Sequence, residues 1–122
     1  MIPREDPDFE ISFYENLLKE KPDYIEALVA LGDDYTKKGR YEEGLKIDER
    51  LVRLKPDDPL VHYNLACSYS LVKRADESFK TIIKAIDLGY RDFRYMESDP
   101  DLEFIRKDPR YKELLSKYVK IK

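Results

Sequence analysis

The chain has 122 residues and a mass of 14.6 kDa, the size of one small domain. Charged residues make up 40%, yet 26 acids against 23 bases nearly cancel, and 10 Tyr and 5 Phe supply aromatic bulk. That balance excludes disorder over most of the chain, and no apolar run approaches the ~18 residues of a membrane span. A single cysteine makes no internal disulfide, and Met1 to Asp6 carries no apolar signal region, so the expected location is cytoplasmic. Gln and Trp are absent and Asn occurs only at Asn16 and Asn64, a depletion of thermolabile amides that fits a heat-adapted source.

Prolines punctuate the chain. Asp6-Pro7 opens a first helix, because aspartate caps free amides and proline needs no donor at the first helical position. The basic stretch Lys19-Glu20-Lys21 before Pro22 suits that helix's C-terminus. Asp23-Tyr24-Ile25-Glu26 has capping-box spacing and starts the next, and Gly39 sits where a left-handed residue ends it. A further helix runs to Arg53-Leu54-Lys55 and Pro56. Asp58-Pro59 then opens another, and Gly89 marks a second left-handed stop. Asp99-Pro100 predicts a short helix, and Asp108-Pro109 a last one reaching near Lys120. No segment alternates apolar and polar residues for long enough to make a strand, so the fold class is all-α.

A repeat underlies this punctuation. A shift of 34 residues pairs Pro22 with Pro56, Leu31 with Leu65, Tyr35 with Tyr69, Leu17 with Leu51, and Leu54 with Leu88. Leu18 aligns with Val52 and Ile86 at the same period. Leu28, Leu31-Gly32, Tyr35, Gly39, Tyr41, Gly44, Leu51 and Pro56 form one unit. His62, Leu65-Ala66, Tyr69, Ala75, Ser78, Ile82, Ala85 and Leu88 form the next. This pattern resembles the tetratricopeptide repeat (TPR) family. The departures are Leu28 and His62 at the family's Trp position, Asp48 at an aromatic position, and Tyr90 in place of the closing Pro. Asp48 is expected to be paired or partly exposed, with Ile47 and Leu51 packing in its stead.

The resemblance implies a right-handed superhelix of antiparallel helix pairs in a single domain. Residues 7–21 are the leading helix, 24–56 the first repeat, 58–90 the second, and 91–122 a degenerate C-terminal cap. Leu102, Phe104, Ile105, Leu114, Leu115 and Tyr118 are expected to cover the end of the stack. Gly32, Gly44, Ala66, Ser78 and Ala85 are packing positions. Tyr35 and Tyr69 belong to the core, with hydroxyls reaching the surface.

The same resemblance implies a concave groove for an extended peptide, lined by Val29, Asp33, Thr36 and Lys37 from the first repeat. Leu60, Tyr63, Asn64, Cys67 and Ser70 line it from the second, beside the flanking positions Glu26, Ala30 and Leu71. Asn64 matches one position of the chaperone-type carboxylate clamp. Val29 and Asp33, however, stand where that clamp needs Lys and Asn, and an acid repels a terminal carboxylate, so no such clamp is expected.

Catalytic and metal chemistry find no support. His62 and Cys67 are the only His and Cys, and five helical residues turn them ~140° apart. Asp99, Asp101 and Glu103 resemble a calcium loop's start. Phe104 and Arg110 then occupy the positions that need Gly and Glu. Neither a phosphate loop nor a nucleophile motif is present. The expectation is therefore no enzyme, no cofactor and no metal. A protein or peptide partner is expected, with a homo-oligomer as alternative; nucleic acid and membrane are not expected partners. The alternative rests on charge. Residues 1–34 carry 3 bases and 10 acids, residues 35–103 carry 13 and 14, and residues 104–122 carry 7 and 2, giving an acidic start and a basic end. A self-assembling scaffold would use those two ends.

Overall fold

The computed structural model describes residues 7–119. They form eight α-helices and one turn of 3-10 helix, with no strand among the described residues. The chain divides between Lys55 and Pro56 into two compact units, and each is built around helix pairs.

In the first unit, α1 (Pro7–Glu20), α2 (Ile25–Lys37) and α3 (Tyr41–Leu54) pack in sequence. α1 lies antiparallel to α2: Asp8 at its start pairs with Lys38 at the far end of α2 (3.1 Å), and the Tyr35 hydroxyl donates to the Glu15 carboxylate. Ile11 and Leu18 are the buried residues of α1, and Ala27, Leu28, Leu31 and Tyr35 continue that core in α2. The capping box expected at Asp23 does not form. The helix begins one residue later, with extended Tyr24 at its N-cap and no side chain on the free amides. The Arg50 guanidinium instead fastens the intervening loop by donating to the Pro22 carbonyl.

α2 and α3 touch where side chains are smallest. A Cβ on Gly44 would lie 3.7 Å from the Gly32 carbonyl oxygen, and one on Gly32 would press to 3.2 Å against a methyl of Ile47. Asp48 is half-buried, and Ile47 and Leu51 are the buried residues beside it.

In the second unit, α4 (Pro59–Leu71) pairs with α5 (Ala75–Asp87), and Ser78 donates its hydroxyl to the Ala66 carbonyl (2.7 Å). Asp58 caps α4 through its carboxylate, which accepts from the amides of Leu60 (2.9 Å) and Val61 (3.3 Å). His62 is buried and its Nε2 lies 2.8 Å from the Pro56 carbonyl oxygen, which pins the start of the helix.

The turn inside each pair is one device used twice. Arg40 follows left-handed Gly39 (φ 76°), its amide donates to the Tyr35 carbonyl (2.8 Å), and its guanidinium lies 4.7 Å over the Tyr35 ring. The same guanidinium grips Glu43 through two hydrogen bonds. Thirty-four residues on, Arg74 donates to the Tyr69 carbonyl (2.9 Å), covers the Tyr69 ring at 5.0 Å and pairs with Glu77 (2.9 Å). The left-handed position there is occupied by Lys73 (φ 67°), and its ammonium rests 4.7 Å over the Phe104 ring.

Beyond left-handed Gly89, α6 (Phe93–Ser98), the 3-10 turn (Pro100–Leu102), α7 (Glu103–Arg106) and α8 (Arg110–Tyr118) close this unit. α8 is described to Tyr118; Lys120, where the sequence places its end, lies outside the described residues. Met96, Leu102, Ile105, Tyr111 and Leu114 join Phe79, Ile82 and Ile86 in one apolar cluster, with Leu115 and Tyr118 packed on its margin. Phe104 departs from its expected covering role: it lies on the exposed side under Lys73.

Lys73 bears a backbone conformation that costs a side-chain residue about 1 kcal/mol. Thermal unfolding is expected to show Lys73→Gly at or above the wild-type midpoint. Lys73→Val, β-branched in the same conformation, is expected to lose about 1 kcal/mol or more.

Candidate functional site

The residues expected to line a groove fall into two sets, one on α2 and one on α4. On α2, Val29 is 49% exposed and presents its methyls to solvent. Asp33 and Lys37, one turn apart, form an exposed ion pair with each other at 3.0 Å. A pair so exposed adds little to stability, so it remains available to rearrange on a partner. Thr36 is half-buried, and its hydroxyl donates to the Gly32 carbonyl (3.1 Å), a bond that ties it to its own helix. These positions of α2 therefore present one apolar side chain beside one acid and one base, with Glu26 exposed in the helix's first turn.

On α4 the set separates by burial. Leu60 is 57% exposed and Asn64 is exposed one turn further on. Tyr63, Cys67 and Ser70 are buried, and Ser70 is fully enclosed. For Tyr63 and Cys67 the C-terminal segment is the cause: the 3-10 turn and α7 pack on α4 and put those two side chains in the interior of the second unit. The Tyr63 ring stacks on Tyr90 with centroids 4.3 Å apart and planes 6° from parallel. Its hydroxyl donates to Asp99 Oδ2 at 2.7 Å, and the Cys67 thiol donates to the same oxygen at 3.6 Å.

Asp99 is the residue whose role the sequence hid. Its place before Pro100 marks it as a cap, and Oδ1 does accept the Asp101 amide (3.0 Å). The other oxygen reaches back 36 residues to Tyr63, a separation near the repeat period and the only sequence signal for the contact. Arg106 completes the closure by donating to the carbonyls of Met96 (2.8 Å) and Asp99 (2.7 Å).

This cluster sets the local proton chemistry. Burial first, and the adjoining Asp99 carboxyl second, push the Cys67 thiol well above its ordinary value. Burial likewise raises the Tyr63 phenol, helped by Cys67 and by the hydrogen bond it gives Asp99. Cys67, Asp99 and Asp101 bring one ligand atom each to within 4.8 Å of one another. Both Asp99 oxygens are engaged within the chain, Oδ2 by the Tyr63 hydroxyl and Oδ1 by the Asp101 amide. The arrangement acts as a hydrogen-bonded clip for the C-terminal segment.

No family model matches the chain. Among solved structures, MamA (residues 41 to the end) from Desulfovibrio magneticus RS-1 superposes with a TM-score of 0.71 at 21% identity, over 94% of this chain and 75% of that one. The likeness establishes an all-helical, TPR-like fold. Among curated proteins, a chloroplastic protein of Arabidopsis thaliana is 33% identical over 109 residues, 85% of this chain. The Hsp70-Hsp90 organising protein of Plasmodium falciparum (isolate 3D7) is 29% identical over 91 residues, 75% of this chain. The chain spans 32% of the first relative and 15% of the second. None of the helices in the described residues is long and apolar enough to cross a membrane.

Tyr63→Phe keeps the stack on Tyr90 and removes only the hydroxyl. Urea unfolding is expected to show a loss of about 2 kcal/mol, the scale of a hydrogen bond to a buried carboxylate. An unchanged midpoint would show that the clip adds nothing to the fold.

Cys67 is expected to resist thiol-labelling reagents in the native chain at neutral pH and to react once per chain after denaturation. Rapid labelling of native protein would show that the C-terminal segment does not stay closed over α4.

Proposed function

We propose that the chain is a non-enzymatic protein-binding module of the TPR type, taking a peptide or protein segment on the exposed faces of its first helices. The observation that carries this reading is the chemistry left outside on α2 and α4. On α2, Val29 offers an exposed apolar contact beside Asp33 and Lys37; on α4, Leu60 does so one turn from Asn64, and these polar groups are able to orient a backbone. The TPR-like fold supports it, because stacked helices hold such faces rigid and keep the ordering cost of binding low. The name of one curated relative, the Hsp70-Hsp90 organising protein, agrees with a role among proteins. Asp33 argues against a terminal carboxylate as the bound feature, so an internal segment is the preferred ligand. Tyr63 and Cys67, enclosed by the C-terminal segment, and the buried Ser70 belong to the scaffold in this reading. The cytoplasmic assignment stays part of it, on cysteine usage alone.

A second reading, self-assembly through the oppositely charged ends, draws on the acidic first 34 residues and the basic last 19. Part of that basic charge is already used at short range. Arg110 pairs with Asp76 (2.6 Å) and Asp108 (2.8 Å), and Lys107 pairs with Glu103 (3.2 Å). This favours the peptide-binding reading.

Affinity capture with cross-linking, comparing wild type with Val29→Glu and Leu60→Glu, tests the first reading. Both positions are exposed, so folding is expected to survive while captured partners fall at least tenfold, about 1.4 kcal/mol. Partners retained by both variants would move binding elsewhere. Light scattering after size exclusion at low and high salt tests the second, and a monomer throughout would remove it.

A further inference from the structure

We infer that Glu10 of α1 and the buried Asp34 of α2 form a proton-sharing clasp that holds α1 onto α2 more firmly as the solution becomes acidic. Asp34 is 4% exposed, and its Oδ2 has no hydrogen-bond partner among the described residues. A buried carboxylate in that position ordinarily finds an arginine, a lysine or a row of amides. Here the group that meets it across the helix interface is another carboxyl, Glu10. Two carboxylates facing each other hold only acceptors, and one proton turns one of them into a donor, giving an O–H···O bond in place of a repulsion.

The surrounding charges leave the pair in that state. On α2 itself, Asp33 and Lys37 engage each other at the surface; Lys37 offsets part of the negative charge and Asp33 adds to it. On α1, Asp8 is taken by Lys38 and Glu15 by the Tyr35 hydroxyl. At the start of α3, Arg40 and Glu43 pair with each other beside the Tyr35 ring, and Asp48 stands next to Gly32.

Burial, and after it the Glu10 carboxyl, raise Asp34 from the ordinary carboxylate value of 3.8 to about 6. Folding therefore favours the protonated form. The stabilisation is fully present below the unfolded value and is lost as pH rises through about 6. Between pH 7.5 and pH 5 the linkage amounts to about tenfold in the docking equilibrium of α1. Asp8–Lys38 and Glu15–Tyr35 also join α1 to α2, so the proton adjusts a contact that is already made. Loosening α1 uncovers Ile11 and Leu18, the apolar side chains it buries.

Amide hydrogen exchange on the full chain at pH 5 and pH 7.5, corrected for intrinsic rates, reads this directly. The amides of α1 are expected to be about tenfold better protected at the lower pH, relative to those of α5 in the second unit. Asp34→Asn mimics the protonated group, so it should hold α1 at least as well as wild type at pH 7.5 and remove the pH dependence. Glu10→Gln, at a less buried position, should flatten the profile in the same way if the first variant folds poorly. Equal α1 protection in wild type at both pH values, or a tenfold gain that survives both substitutions, overturns the clasp.

Discussion

Two helices joined by a three-residue turn can lie flush only if nothing larger than a methyl or hydroxymethyl separates them at the crossing. Both helix pairs meet that condition at equivalent positions, Gly32 against Gly44 in the first and Ala66 against Ser78 in the second. With the backbones so close, larger residues above and below can interlock: Leu28, Leu31 and Ile47 in one pair, Phe79, Ile82 and Ile86 in the other. The Ser78 hydroxyl turns that proximity into a bond on the Ala66 carbonyl. The tyrosine–arginine–glutamate turns then fix the direction in which each second helix leaves. Packing and turn are separate requirements, and the 34-residue register satisfies both at once.

Most of the helical framework was legible because its signals are local. Asp58-Pro59, Asp99-Pro100, Gly39 and Gly89 each act within a few residues of themselves, and each does what its chemistry dictates. Asp23 was the exception, since a capping spacing is permissive and the loop was instead secured from a distance by Arg50. The arginine turns went unread because no single-residue rule announces them, although Arg40/Arg74 and Glu43/Glu77 share the same 34-residue offset as the tyrosines. At the candidate site Val29, Asp33, Lys37, Leu60 and Asn64, positions implied by the resemblance to the repeat family, are exposed. The burial of Tyr63 and Cys67 was not legible, because the segment that covers them lies some thirty residues downstream. A helix face reads as open from sequence whenever its cover is irregular.

The two units use charge differently. In the second, arginines tie down the C-terminal segment: Arg106 to two carbonyls, Arg110 to Asp76 and Asp108. These contacts staple an irregular segment that lacks a helix long enough to be stable alone. The first unit has an excess of acid, and its buried Asp34 meets a second carboxyl rather than a base. Net charge conceals this contrast, which only the side-chain partners reveal.

The Asp99 clip also acts as a ruler. One oxygen is committed to the turn that follows it, the other to α4, while Arg106 draws the carbonyls of Met96 and Asp99 to a single guanidinium. The span from Tyr90, stacked on Tyr63, to Asp99, bonded to that same tyrosine, is thus fastened at both ends to one side chain. Adding or removing a residue between them would break one fastening or the other. Among chains descended from a common ancestor, length changes should therefore be purged from 90–99 even where the residues themselves drift. The ruler constrains evolution by spacing, and leaves composition free.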